Sequence, residues 1–282
     1  MNNFKTIILL TILTLLLIGV GYLIAGPGGA LVAFFITLIM NLVSFWYSDK
    51  IVIGMYRGRE IPQTSEPEIH QIVSNLSAAA NIPKPKIYLI PLNVPNAFAT
   101  GRNPEHASIA VTEGILRTLN REELEGVISH EIAHIKNRDI LIGTIAATLA
   151  GAIMTIAYWA RWMVFLGGGD EERGGTGLIG LLLLSILAPL AATIVQLAIS
   201  RTREYQADKK GAYISGKPLA LANALEKLDT IAKTHPLRGG SPATSHLFIV
   251  NPFRGDFLFR LFSTHPPIEE RIKRLRELAG II

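Results

Sequence analysis

The chain has 282 residues, of which 49% are hydrophobic and only 17% are charged. Soluble domains carry nearer a quarter charged residues, so this composition indicates that part of the chain lies in a lipid bilayer. The absence of cysteine from the sequence excludes disulfide bonds and thiolate metal ligands. The net charge of +5 fits membrane flanks that face anionic lipid headgroups. No Lys/Arg run with interleaved aromatic residues supports a nucleic-acid surface.

Two uncharged apolar stretches at the start of the chain predict an N-terminal transmembrane hairpin over residues 1–48. Residues 6–25 carry no charge, and a helix of this length matches a bilayer core of about 30 Å. Gly26-Pro-Gly-Gly29 predicts a tight turn. Residues 30–47 predict a second span, which ends in the aromatic belt Phe45-Trp-Tyr47. A cleaved signal peptide is the alternative, but its apolar core would normally be about 7–15 residues long.

Residues 49–139 have the pattern of the first part of a soluble domain. Ser65 and Glu68 form a capping-box pattern, which predicts a helix that ends near residue 80. Three short apolar runs then predict strands. They are residues 86–90, 96–100 and 108–112.

The middle strand is predicted to lie at an edge of the sheet. Pro95 stands at its head, and proline cannot donate a hydrogen bond to a strand ladder. An extended peptide can bind at such an edge as an additional strand, so Asn96, Ala97, Phe98 and Ala99 are candidate substrate-binding residues for a polypeptide. A small hairpin packed in the core explains the same pattern equally well.

The run His130-Glu-Ile-Ala-His134 is typical of zinc peptidases. On a helix, His130 and His134 lie one turn apart on the same face, so both imidazoles can bind one cation. Glu131 can reach a water at the open metal position and act as general base. Asn120 and Glu123 predict the cap of this helix. The alternative is a surface helix whose histidines pair with Glu131 and solvent.

A second transmembrane hairpin is predicted over residues 140–199. Apolar runs at 140–159 and 178–199 flank a glycine-rich loop with an acidic run at 170–172. Basic residues lie on both outer flanks of the hairpin, namely Lys136, Arg138, Arg201, Arg203, Lys209 and Lys210. The positive-inside rule therefore places the loop outside and the soluble segments and both termini in the cytoplasm.

Two carboxylates follow this hairpin at helical i and i+4 positions, Glu204 and Asp208. A site with two histidines and no cysteine needs a third oxygen or nitrogen ligand, and Glu204 is the best placed. Asp139 is a poor candidate, because five residues after His134 it would sit on a different face of the same helix. Asp208 is placed to accept a hydrogen bond from a ligand imidazole and fix its tautomer. Without the preceding motif, the two carboxylates would more often belong to a solvated helix face.

Residues 200–282 form the second part of the soluble domain. A helix is predicted at residues 219–232, and a final amphipathic helix at 268–278 begins after two prolines. The apolar segment 247–250 lies in a Pro/Gly-rich loop and has three possible interpretations: a substrate-binding flap, an interfacial contact or a packed loop. His265 precedes the final helix and is a candidate capping residue.

Several runs of residues together carry a family resemblance. They are His130-Glu-x-x-His134, Glu204-Tyr-x-Ala-Asp208 and Ser263-Thr-His-Pro-Pro-Ile-Glu-Glu-Arg271, with Asn96-Ala-Phe-Ala-Thr-Gly101 and Asn251-Pro-Phe253 in addition. With these motifs the chain resembles, over nearly its whole length, the HtpX-type membrane zinc metalloproteases, which are relatives of the CAAX prenyl proteases.

The resemblance implies one Zn²⁺ ion per chain with His130, His134 and Glu204 as ligands. It implies Glu131 as the catalytic base, and His265 as a residue that projects into the active site and stabilises the oxyanion. It also implies that the substrates are misfolded or damaged membrane proteins, or unfolded polypeptides, which are cleaved in protein quality control.

We therefore expect an α+β, mainly helical multi-pass membrane protein with about four transmembrane helices. Its zincin-like catalytic domain, with a small β-sheet, is divided between residues 49–139 and 200–282. The expected function is that of a zinc metalloendopeptidase in the cytoplasmic membrane. One alternative is a processing protease for lipidated C-termini, and another is a non-catalytic zinc-binding scaffold. A structural zinc site normally has four protein ligands, and the three identifiable here favour catalysis.

Overall fold

Helices dominate the computed structural model, which describes residues 2–150, 153, 200–234, 247–250 and 266–280. The helices are α1 (Asn2–Met55), α2 (Pro67–Ala80), α3 (Glu113–Thr118), α4 (Arg121–Asn137), α5 (Ile140–Ala150), α6 (Arg201–Ser215), α7 (Pro218–Thr234) and α8 (Ile268–Ala279). The strands are β1 (Arg59–Glu60), β2 (Lys86–Ile90), β3 (Ala97–Gly101) and β4 (Ala107–Thr112), with a 3₁₀ turn at Pro104–His106. The described chain is thus mainly helical with a small mixed sheet, as the sequence predicted.

The helical stretch α1 folds back on itself. Gly26 adopts a φ of +61°, in the left-handed region that interrupts a right-handed helix. The Asn41 Nδ2 donates to Thr14 Oγ1 at 3.0 Å, although a separation of 27 residue positions would span about 40 Å on a straight helix. Gly21 allows the two arms to approach, because a Cβ there would lie 2.5 Å from the Gly29 carbonyl oxygen. The chain therefore reverses where a turn was predicted.

Within the described residues, one helical stretch, Gly26–Tyr47, is long and apolar enough to cross a membrane. Large apolar side chains along it are exposed, including Phe35 and Ile39, which fits a surface that contacts lipid. Helix α5 is also apolar but shorter. The remainder of the predicted second hairpin, apart from Ile153, lies outside the described residues.

The four-stranded sheet has the order β1-β2-β4-β3, so β3 is an edge strand as predicted. Strands β2 and β4 run parallel, whereas β3 is antiparallel to β4 with Ala97 opposite Val111. The Thr112 N–H donates to the Asn96 carbonyl, and in an antiparallel ladder bonded residues alternate with outward-facing ones. The peptide groups of Ala97, Ala99 and Gly101 therefore face away from the sheet, towards α4 and α5.

Of the two capping boxes predicted from the sequence, one is present in the structure. The capping box of Asn120 and Glu123 at the start of α4 is present as predicted. The predicted box of Ser65 and Glu68 is wrong, because α2 begins at Pro67 and its N-cap residue makes no side-chain cap bond. Proline is favoured at the first position of a helix, so α2 begins at Pro67 and its N-cap residue is Glu66 instead of Ser65.

The core lies between the sheet and helices α2, α4 and α7. Buried apolar residues of α4, among them Val127, Ile128 and Ile132, pack into this core. Gly126 brings α4 against α7, because a Cβ on it would lie 2.5 Å from the Leu221 amide nitrogen and 2.8 Å from the Ala220 carbonyl carbon. Those neighbours are backbone atoms and cannot rotate away.

We predict that Gly126→Ala destabilises the protein by about 1–3 kcal/mol, because the added methyl group forces α4 and α7 apart. Thermal unfolding of the purified protein in detergent would show this as a lower Tm. Gly54→Ala is the matched control, since nothing lies within 4 Å of a Cβ at this helical position. An unchanged Tm in Gly126→Ala would contradict the close contact of the two helices.

Candidate metal centre

Three side chains converge at the junction of α4 and α6. His130 and His134 lie one turn apart on α4, and Glu204 projects from the first turn of α6. The two histidine Nε2 atoms are 3.2 Å apart. Glu204 Oε1 lies 3.4 Å from His134 Nε2, and Glu204 Oε2 lies 3.7 Å from His130 Nε2. The structure therefore brings together the three residues that the sequence suggested as metal ligands.

The spacing of these donors fits a tetrahedral metal ion. With zinc–ligand bonds of about 2.0–2.1 Å, two corners of a tetrahedron are separated by about 3.3 Å. The three observed separations, 3.2, 3.4 and 3.7 Å, lie close to this value. Two imidazoles and one carboxylate are also a donor set that zinc accepts. The residues present could thus hold a zinc ion.

A glycine on α6 permits the close approach that this geometry requires. A Cβ on Gly211 would lie 3.0 Å from the backbone nitrogen of His130 and 3.0 Å from the carbonyl carbon of Ser129. Because α6 can press directly against the α4 backbone at this point, its carboxylates reach the histidines. The glycine determines the distance between the two helices that supply the donors.

The ring of His130 is oriented by Asp208. Its Nδ1 lies 2.9 Å from Asp208 Oδ1, so the other ring nitrogen, Nε2, faces the remaining donors. Although burial raises the pKa of Asp208, the Arg271 guanidinium and its hydrogen bonds lower that pKa to about 2. Asp208 is therefore an anion that accepts the Nδ1–H of His130, the arrangement that fixes a ligand imidazole in place.

Arg271 of α8 is fully buried and was assigned no role from the sequence. Its Nε and Nη2 donate to the two oxygens of Asp208 at 2.8 and 2.7 Å, a bidentate pair. Its Nη1 lies 3.8 Å from Glu204 Oε2 and donates to the Ile249 carbonyl at 3.4 Å. Arg271 closes one of the motif runs, but nothing in the sequence pairs it with a carboxylate 63 residues away.

Asp139 contacts the second histidine, and the sequence-based view of its position was wrong. Its Oδ2 lies 3.3 Å from His134 Nδ1. Helix α4 ends at Asn137 and Arg138 adopts a left-handed φ of 59°, so Asp139 is not on the same helix and can turn back towards the ring. Burial lowers the pKa of His134, but hydrogen bonds to Asp139 and Glu204 raise it to about 10. The carboxylates of Asp139 and Glu204 thus favour the positively charged form of His134.

Glu131 lies beside the three donors and is held by the edge strand. Its Oε2 accepts a hydrogen bond of 2.8 Å from the outward-facing N–H of Ala99. Burial raises the pKa of Glu131 above its usual range. The carboxylate is therefore oriented by β3 and has a higher proton affinity than a carboxylate in water.

A cavity of about 90 Å³ opens at these groups. Its walls come from β3, α4, the start of α5, the start of α6 and the segment 247–250. Phe98 and Ala99 line the cavity, whereas the candidate substrate-binding residues Asn96 and Ala97 do not and are buried elsewhere. The other candidate catalytic residue, His265, lies outside the described residues.

Comparisons with known proteins bear directly on this centre. The sequence model of Peptidase family M48 matches residues 63–279. A protease HtpX homolog of Pyrococcus furiosus is 58% identical over 281 residues, which cover 99% of this chain and 97% of that protein. Homologs from Thermococcus kodakarensis and Syntrophobacter fumaroxidans are each 54% identical and cover 98% of this chain, and 95% and 99% of their own lengths.

Among solved structures, the crystal structure of S. mikatae Ste24p matches with a TM-score of 0.47 and 18% identity, over 86% of this chain and 57% of that chain. The match to the family extends over most of the sequence and includes all residues of the centre that are described above. The proteases of the same type match from end to end. The family resemblance inferred from the motifs is thereby confirmed. The chain therefore belongs to peptidase family M48 and is a membrane metalloprotease.

Proposed function

We propose that the protein is a zinc-dependent endopeptidase that cleaves membrane proteins and unfolded polypeptides at the cytoplasmic face of the membrane, in protein quality control. The observation that carries this proposal is the set of three donors 3.2–3.7 Å apart with Glu131 beside them. Among the described residues, no fourth His, Asp or Glu is grouped with the three. A three-ligand set beside a cavity supports catalysis over a purely structural zinc site.

In this mechanism His130, His134 and Glu204 would hold the metal, and Asp208 and Asp139 would fix the two histidine rings. Bound zinc would supply polarisation of the scissile carbonyl and of a water molecule. Glu131 takes a proton from the attacking water at Oε1, because its Oε2 is engaged by Ala99, and passes this proton to the leaving amine.

The raised pKa of Glu131 supports this role. A carboxylate of ordinary pKa holds a proton only weakly near neutral pH, whereas burial increases the proton affinity of Glu131. We assign His265 the stabilisation of the oxyanion, on the resemblance alone.

The substrate is proposed to lie along β3 as an extended strand. The outward N–H groups of Ala99 and Gly101 are already engaged, by Glu131 and by Thr144 Oγ1 at 3.3 Å. The carbonyl group of Ala99, a residue that lines the cavity, points in the same outward direction, by the alternation of the ladder. Pairing of a substrate backbone would therefore use this carbonyl oxygen as an acceptor.

The proposed topology has four transmembrane helices in the cytoplasmic membrane. Two hairpins, at 1–48 and 140–199, alternate with the two cytoplasmic pieces of the catalytic domain, 49–139 and 200–282. Only Arg138 and Asp139 separate α4 from the apolar α5. His134 lies in the last turn of α4, so it would lie close to the membrane boundary. A site at this depth suits cleavage of the cytoplasmic parts of membrane proteins.

The first prediction from this mechanism is that Glu131→Gln retains zinc and loses proteolysis by a factor of about 10² to 10⁴. The amide preserves the size of the side chain but cannot carry the proton. Metal analysis and cleavage of unfolded and membrane-protein substrates, both on the detergent-purified protein, would test this. His134→Ala is the comparison variant, and it should lose zinc. Full activity of Glu131→Gln would refute the mechanism.

We also predict that Arg271→Met and Asp208→Asn each weaken zinc binding about 10- to 100-fold, because the support of His130 is lost. Titration of the purified variants against a zinc chelator would measure the change in Kd. Arg276→Met is the matched control, since Arg276 lies on the same helix in an exposed ion pair with Glu226. Zinc affinities equal to that of the unmodified protein would contradict the proposed role of the pair.

The topology predicts which single cysteines an impermeant thiol reagent labels on intact cells. The chain contains no cysteine, so Ser74→Cys, Thr176→Cys and Asn223→Cys each introduce one unique thiol. Only the thiol at 176 should react, because it lies in the acidic outer loop. Ser74 and Asn223 are exposed in the two catalytic pieces, so they should react after the cells are opened. Labelling of either on intact cells would overturn the orientation.

A further inference from the structure

Asn96 holds the segment 247–250 as a neighbouring strand would. Its side-chain Nδ2 donates to the Leu247 carbonyl at 3.2 Å, and its Oδ1 accepts from the Ile249 N–H at 3.0 Å. In a parallel sheet, a residue forms its two hydrogen bonds with the residues just before and just after the one that faces it on the next strand. The Asn96 amide forms the same two bonds, and Phe248 is the residue that faces it. The amide of one side chain therefore fixes the backbone of the segment on both sides of Phe248.

The hydrogen-bonding groups of Asn96 are committed to the protein itself. Its backbone N–H donates to Thr112 Oγ1 at 2.9 Å, and its carbonyl accepts from the Thr112 N–H at 3.0 Å. The residue is only 2% exposed. Asn96 does not line the cavity, so its amide could reach a substrate backbone only if the segment moved. Its geometry fits a residue that positions the segment, in place of the direct substrate contact that the sequence suggested.

The segment is fixed to the metal centre and to the turn that follows α1 by further contacts. Arg271, which pairs with Asp208, also donates to the Ile249 carbonyl at 3.4 Å. The Phe248 ring is 2% exposed and packs edge-on against Tyr56, with ring centroids 6.4 Å apart. Tyr56 in turn packs against Phe98 of β3 at 5.8 Å. The segment is therefore a packed wall of the cavity.

This wall is apolar and faces the reacting groups. Leu247, Phe248 and Ile249 line the same cavity as His130 and Glu131. Phe98 and Ile140 add apolar surface to the lining. An apolar side chain of a substrate loses contact with water when it enters such a cavity, whereas a small side chain leaves part of it unfilled.

We infer that the segment 247–250, positioned by Asn96, selects substrates with a bulky apolar side chain next to the scissile bond. This inference rests on the proposed peptidase function and specifies its substrate preference. When two side chains differ in size, an apolar pocket can favour the larger one by a factor of roughly 10 to 200 in kcat/KM. The preference should therefore depend on Asn96 through the position of the wall and not through zinc binding.

The test uses the full-length zinc-loaded protein in detergent and pairs of fluorogenic peptides. The peptides differ only in Leu or Ala, at each of the two positions that flank the scissile bond. At one position we expect kcat/KM for the Leu peptide to exceed that for the Ala peptide by about tenfold or more. Asn96→Ala and Phe248→Ala should each reduce this ratio towards one, with zinc content unchanged. The double variant should reduce it no further than either single one.

Asn75→Ala is the matched control, since Asn75 is exposed on α2 and bonded only to the side chain of Gln71 in the described structure. Its ratio should equal that of the unmodified protein. Should Asn96→Ala fold poorly, Leu247→Ala tests the wall with both Asn96 bonds in place, and it too should lower the ratio.

An equal loss of kcat/KM for both peptides in Asn96→Ala, with the ratio unchanged, would overturn the inference and favour a direct contact of Asn96 with substrate. An unmodified protein that cleaves the peptides without a size preference at either position would overturn the inference alone. A protein that cleaves no peptide would overturn the proposed function as well.

Discussion

Arg271 is completely buried, and the groups that neutralise its charge determine how the catalytic domain is assembled. A buried charge is tolerated only when it is paired and hydrogen-bonded, and Asp208 provides both through two bonds of 2.8 and 2.7 Å. The same carboxylate lies 2.9 Å from the His130 ring. One anion on α6 thus connects this helix to α4 and to α8.

This connection explains how a site can be built from distant parts of the chain. His130 and Asp208 are separated by the predicted membrane hairpin at 140–199, and Arg271 follows 63 residues after Asp208. Metal binding to such a site stabilises the whole assembly, because the donors come together only in the folded state. Gly126 and Gly211 also hold this assembly together, since each allows the backbone of α4 to come close to the backbone of a neighbouring helix.

Local patterns allowed the α4 capping box and the edge position of β3 to be predicted from sequence, because each depends on residues that are neighbours in the chain. The spacing of His130 and His134 is local in the same sense. The contact of Asp139 with His134 was missed, since it depends on the left-handed backbone of Arg138, an unusual conformation for a residue with a side chain. The role of Arg271 was missed because its partner is set by tertiary packing.

The edge strand β3 contacts the metal centre and α5 through N–H groups that an edge strand would otherwise leave unpaired. Its outward N–H at Ala99 orients Glu131, and its outward N–H at Gly101 reaches Thr144 of α5. Covering an edge in this way protects it from unwanted strand pairing, but it also shortens the stretch on which a substrate can pair. A peptide bound there gains few backbone hydrogen bonds. In the proposed binding mode, its recognition would therefore depend more on side-chain burial, which the apolar wall of Leu247, Phe248 and Ile249 can provide.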